Sequence, residues 1–173
     1  GSSWTEVNDL NTGRFALAGS GVSNTSALAF GGRPGSASVG AQAESYSGSS
    51  WTEVGDLNTA RSTLAGAGTQ TSALAFGGTT NSTELWNGSA WTANPSSLNT
   101  SRTYLAAAGA SSTSALAFGG DPGHAQTESW NGSSWTEVSD LNTGRGLLAG
   151  AGINTAALAF GGFPSTGKTE TWN

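Results

Sequence analysis

The chain has 173 residues, of which 10% are charged, with a net charge of −5, 27 glycines, seven tryptophans and no cysteine. Six Lys and Arg scattered along it form no basic stripe, which excludes nucleic acid as a partner, because phosphate binding needs clustered cations. No apolar run approaches a membrane span, so no membrane insertion is expected, and without cysteine there is no disulfide framework.

Gly, Ser, Thr, Ala and Asn dominate, a mixture that would suit a disordered linker. Seven Trp, six Phe and regularly placed Leu oppose that reading, since they supply apolar surface to offset the chain entropy lost on folding. Residues 4–7, Trp-Thr-Glu-Val, read as a short strand. Leu10-Asn-Thr follows, then Arg14 and a small-residue segment over 17–21, a strand whose tiny side chains let backbones approach closely. Residues 26–30, Ser-Ala-Leu-Ala-Phe, alternate Ala with Leu or Phe, which predicts a strand buried on both faces between stacked sheets. Gly31-Gly32 end it. A loop over 33–43 leads to a third strand around Glu44 and Tyr46, a Ser47-Gly48 turn, and a second Trp-Thr-Glu-Val at 51–54.

From there the pattern repeats. Leu-Asn-Thr recurs at 57–59, 98–100 and 141–143, and Arg at 61, 102 and 145. The apolar strand and Gly-Gly recur at 72–78, 114–120 and 156–162, and the third strand carries Trp86, Trp130 and Trp172. Asn-Gly at 87–88 and 131–132 is a strong hairpin signal. Trp4, Trp51, Trp91 and Trp135 stand 47, 40 and 44 residues apart, and the step from Trp135 off the end and round to Trp4 adds 42. A helix is excluded, because Gly and β-branched Thr recur in every window long enough to hold one.

Four short strands per period of about forty residues describe a propeller blade. The order of apolar strand, Gly-Gly, aromatic beside Glu, Trp, then Arg resembles the kelch motif, in all four copies and over the whole chain. Trp stands where that family usually has Tyr, except at Tyr46. The expected fold is all-β: a β-propeller of four kelch-like, four-stranded blades in one domain over 1–173. The repeats run over about 8–54, 55–94, 95–138 and 139–173, with 1–7 closing the last. Because the chain opens on a fourth strand and stops after a third, the N-terminal strand is expected to complete the C-terminal blade, within one chain or by exchange between two. Four blades would make a closed monomer. Two chains would make an eight-bladed homodimer, which small side chains at most interface positions favour; large Trp side chains favour the steeper four-bladed ring.

Residues present in every copy are explained most simply by the fold. Arg14, Arg61, Arg102 and Arg145 are therefore expected to be structural, paired with an in-phase Glu or loop carbonyls; a ring of Arg capturing an anion is the alternative. Trp4, Trp51, Trp91 and Trp135 are expected to pack between blades. In-phase carboxylates could hold a cation, but no Asp-x-Asp-x-Asp-Gly run supports it, and with one His a two-His metal site is impossible. Catalytic residues, cofactors and metals are not expected: His124 and Asp121 would have to build a triad within one loop. The resemblance includes copper oxidases of the galactose-oxidase kind, whose Cys-Tyr cofactor and His ligands this sequence lacks.

Variation concentrates in the loops after Gly-Gly, at 33–43, 79–83, 121–127 and 163–169. They hold Arg33, Asp121, His124, Phe163 and Lys168, the candidate ligand-binding residues. The expected function is a non-enzymatic display scaffold for a protein or glycan ligand, extracellular or virion-associated by compositional analogy. Near-identical copies and the missing Met suit a designed or excised repeat fragment without a ligand as the alternative, with an enzyme as the remaining one.

Overall fold

Alternation of Ala with Leu or Phe, closed off by Gly-Gly, makes the second strand of each repeat the interior of a sheet, with both edges hydrogen-bonded and both faces apolar. The computed structural model describes residues 1, 3–35, 38–164 and 166–173, and all regular structure among them is strand. The first sheet joins β1 (Ala18–Ser23), β2 (Ser26–Phe30), β3 (Ala43–Tyr46) and β4 (Trp51–Val54). The second joins β5 (Ala65–Gly68), β6 (Ala73–Phe76), β7 (Thr83–Trp86) and β8 (Trp91–Asn94). The third joins β9 (Ala106–Ser111), β10 (Ser114–Phe118), β11 (Thr127–Trp130) and β12 (Trp135–Val138). The last has three strands, β13 (Ala149–Ile153), β14 (Ala156–Phe160) and β15 (Thr169–Trp172).

All pairs are antiparallel, and the registers repeat: Phe30 faces Ala43, Phe76 faces Thr83, Phe118 faces Thr127 and Phe160 faces Thr169. The four sheets are the blades of a β-propeller, with β1, β5, β9 and β13 innermost and side by side in that order. The Leu that opens each small-residue segment lies just before the strand. Leu64, Leu105 and Leu148 turn into the core between blades instead.

Each interface is built the same way. The Leu/Phe face of one blade meets the Ala/Trp face of the next: Leu28 and Phe30 against Ala73, Ala75, Trp86 and Trp91, then Leu74 and Phe76 against Ala115, Ala117, Trp130 and Trp135. Small residues set the spacing. A Cβ on Gly66 would lie 2.5 Å from Phe30 Cζ and 3.0 Å from the Gly19 carbonyl oxygen. The third interface, Leu116 and Phe118 against Ala157 and Ala159, lacks a fourth-strand Trp.

The sequence reading gave that place to Trp4, within one chain or by exchange between two, and within the chain the strand does not form. Residues 4–7 are not in a strand of their own chain, and Trp4 is fully exposed. Among the described residues no buried apolar cluster joins the first and last blades. Leu158 and Phe160 are 41% and 40% exposed, whereas their counterparts Leu74 and Phe76 are wholly buried. The expectation of burial on both faces therefore fails for β14, whose Leu158 and Phe160 side no described residue covers.

Candidate functional site

Strand direction sorts the connections. The loops after Gly-Gly and the Leu-Asn-Thr-x-Arg links between blades share one face, and the short hairpin turns lie on the other. On the loop face each in-phase Arg is buried and paired with the in-phase Glu of its own blade. Arg61 reaches Glu84 at 3.1 Å, Arg102 reaches Glu128 at 2.7 Å, and Arg14–Glu44 and Arg145–Glu170 repeat the pair. The Leu-Asn-Thr turn supplies the remaining donors, the Asn58 backbone N–H at 2.7 Å and its side-chain amide at 2.8 Å, both to Glu84 Oε2. Arg61 also donates to the Ser82 and Ala75 carbonyls, and Arg102 to those of Gly119 and Gln126. The Nε–H of all four arginines is buried without a protein acceptor.

Burial lowers the Arg61 and Arg102 guanidinium pKa values from the ordinary arginine range, against the attraction of Glu84 and Glu128, and both stay cationic at neutral pH. For Glu44, burial acts to raise the pKa, and the Asn11 N–H and Arg14 guanidinium outweigh it, leaving the group below its ordinary value. With both partners engaged, this network holds the turns that carry the rim in place.

The rim is where the copies differ. Between each in-phase Arg and the invariant Leu-Ala lie two residues that change in every repeat: Phe15-Ala16, Ser62-Thr63, Thr103-Tyr104 and Gly146-Leu147. The second of each pair has positive φ: 55° at Ala16, 59° at Thr63, 53° at Tyr104 and 55° at Leu147. A left-handed conformation is costly for such residues, Thr above all. It is held by a belt of backbone bonds, Thr63 N–H to Ala16 C=O, Tyr104 to Thr63 and Leu147 to Tyr104, at 2.8, 3.0 and 2.9 Å. The belt sets these residues around the mouth of the axial opening.

The residue after each Gly-Gly joins this rim. Arg33 forms an isolated bridge with Phe15, Asp121 with Thr103 and Phe163 with Gly146. Phe15, Arg33, Ser62, Thr63, Thr79, Thr103 and Tyr104 line an open depression of about 530 Å³, and Tyr104 and Leu147 border the axial opening beside it. Phe15, Tyr104, Leu147 and Phe163 are all exposed.

Of the five candidates read from sequence, Arg33 lines the depression, its Nε donating to Ser62 Oγ at 3.3 Å. Asp121 and Phe163 stand one step back, tied to the rim by their bridges. His124 and Lys168 are not part of it: the His124 ring bonds Gln126 Oε1 at 3.0 Å, and Lys168 Nζ donates to Thr143 Oγ1 at 2.8 Å. Two stretches of the expected recognition loops, residues 36–37 and 165, lie outside the described residues. Sequence reasoning missed the variable pairs. Their signal was present as two unlike residues between invariant Arg and invariant Leu-Ala, passed over because variation was sought only in the loops after Gly-Gly.

Among the described residues no three His, Cys, Asp or Glu side chains converge as metal ligands. Fold and rim together define the class: a β-propeller carrying an aromatic-edged opening, with Arg33 among its lining residues, on its loop face. No protein-family model matches the chain, and no curated protein is significantly similar to it.

Proposed function

We propose that this chain is a kelch-type propeller serving as a non-enzymatic binding scaffold, and that its ligand is a neutral, hydroxyl-rich molecule of the glycan class held at the axial mouth. The kelch assignment rests on the Gly-Gly, Glu-aromatic, Trp and Arg pattern, with the Arg–Glu pair buried at the base of each loop. One observation carries the functional reading: the positions that change from copy to copy are the ones assembled at the mouth, on a belt that recurs unchanged. Phe15 and Tyr104 supply flat apolar faces, and Ser62, Thr63, Thr79 and Thr103 supply hydroxyls, a combination of apolar surface with a few placed polar groups that suits a small-molecule site. Arg33 is the one cation there, so the depression does not select for a polyanion. A protein ligand would need a wider surface than this opening offers.

Glycan-array binding of the intact chain tests the proposal. Binding of at least one neutral glycan is expected, with a drop of tenfold or more in Tyr104→Ala and Phe15→Ala at unchanged melting temperature, roughly the worth of one lost stacking contact. No binding across a broad array, or equal binding by both variants, overturns it and leaves the chain as a repeat scaffold without a ligand.

A further inference from the structure

The third interface contains a hole of definite shape. At the first, Trp91 packs on Phe30 with ring centroids 4.9 Å apart and on Trp86 at 5.4 Å; at the second, Trp135 packs on Phe76 at 4.8 Å and on Trp130 at 5.3 Å. At the third, Phe118 and Trp172 stand in the equivalent places and line an open pocket of about 390 Å³ with Leu116, Thr127, Leu141 and Glu170. The hydrogen bond there is prepared as well. Trp135 Nε1 donates to Thr83 Oγ1 of the preceding blade at 2.9 Å, and Thr127 holds the corresponding position in the pocket. Glu170, whose side chain is 14% exposed where the other three paired Glu are at most 2%, lacks the covering strand.

The missing parts are present elsewhere in the same chain. Residues 4–7 repeat Trp-Thr-Glu-Val of β4 and β12 and stand unpaired. The Leu/Phe face of the last blade is exposed, and the Ala/Trp face of the first has no neighbour, so Trp51 is only half-buried where Trp91 and Trp135 are buried. The backbone belt is open at both ends: among the described residues neither Ala16 N–H nor Leu147 C=O has a backbone partner. Gly32, Gly78 and Gly120 each donate to the Arg carbonyl of the next blade, and among the described residues Gly162 has no such acceptor. Every open group at one end of the chain has its counterpart at the other.

We propose that two copies of this chain close one eight-bladed ring by exchanging their N-terminal strands. Residues 4–7 of one protomer pair with β15 of the other, Trp4 beside Trp172, and the Trp4 ring enters the pocket between Phe118 and Trp172 with its Nε1 donating to Thr127 Oγ1. The Leu158 and Phe160 face of each protomer covers the Trp51 face of its partner, and Leu147 C=O accepts from the partner's Ala16 N–H. A head-to-tail interface closes or runs on as a filament. Among multiples of four, eight is the one besides four within the usual four to eight blades of a propeller, and the belt left open among the described residues favours eight. The axial mouth is then completed by both protomers, so the rim residues act as one ring of two identical halves.

Native mass spectrometry of the intact chain at micromolar concentration tests this, with a mass twice the 17.2 kDa of one chain expected. A folded monomer, a trimer or an open-ended series overturns it. Trp4→Ala is expected to raise the dimer Kd by at least about a hundredfold, by analogy with emptying any buried Trp site. Thr83→Val and Thr127→Val keep the test independent of misfolding. Both remove the same kind of acceptor, but Thr83→Val is expected to lower stability at unchanged Kd, and Thr127→Val to raise the Kd severalfold. Equal effects of the two on Kd, or none from Trp4→Ala, overturn strand exchange.

Discussion

Trp91 Nε1 is a buried donor without an acceptor, and the repeats explain it. Trp135 at the next interface donates to Thr83, whereas the residue in that position of the first blade is Ala43. Ala43 is 1% exposed, so Trp91 gave up its water and gained nothing. An unmade hydrogen bond of this kind costs about 1–3 kcal/mol. Ala43→Thr, which copies what three other blades carry, is therefore expected to stabilise the chain by roughly 1 kcal/mol, read as a raised denaturant midpoint at constant m. An unchanged or lowered midpoint would show that the hydroxyl does not reach the ring. The buried ion pairs impose a pH dependence of definite sign. Burial works to raise the Glu44 and Glu170 carboxyls, but Asn11 and Arg14, and Arg145 and Asn142, outweigh it and leave both below the ordinary 4.5. Between that value and the lowered one the unfolded chain binds protons the folded chain refuses. Stability from these pairs is thus complete above about pH 5 and is lost as pH falls through the lowered range. Urea midpoints should be flat from neutrality to about pH 5 and fall below it; a rise on acidification would contradict the pairing.

At the level of the strand, the period-two pattern of Ser-Ala-Leu-Ala-Phe and the Gly-Gly after it made the blade legible from sequence. Both glycines have positive φ in every copy, 68° and 91° at Gly77 and Gly78. A Cβ on Gly78 would lie 2.5 Å from the Ser62 carbonyl oxygen, so this turn admits no side chain. Gly78→Ala is expected to cost about 2–3 kcal/mol from backbone strain and the clash together, measured by thermal melts; a loss under about 0.5 kcal/mol would mean the strand end relaxes freely. The rim was far less legible, for a physical reason. Residues such as Thr63 and Tyr104 carry no propensity for positive φ, and what holds them there is a bond from the neighbouring blade, a tertiary contact no local pattern encodes. Arg33, Asp121 and Phe163 could be found because they follow an obvious punctuation mark. His124 and Lys168 share their loops but spend their polar atoms on Gln126 and Thr143, partners that become visible only once the loop is folded.

Over the whole molecule, strand exchange carries a thermodynamic consequence. In an exchanged dimer the last blade of each chain is completed by the other, so association is linked to folding and stability depends on protein concentration. Each tenfold rise in concentration favours the native dimer by about 1.4 kcal/mol. Spread over the unfolding entropy of two chains of this length, that raises the melting temperature by roughly 2 °C. Melting curves over two decades of concentration should therefore shift by about 4 °C in total, and Trp4→Ala should flatten the dependence as well as lower the curve. A stable monomer with a free-standing three-stranded blade would melt at one temperature throughout. It would also leave Leu158, Phe160 and an unpaired β15 edge in water, a surface that invites aggregation. A concentration-independent melting temperature would mean that the four blades fold alone and that their open faces are tolerated.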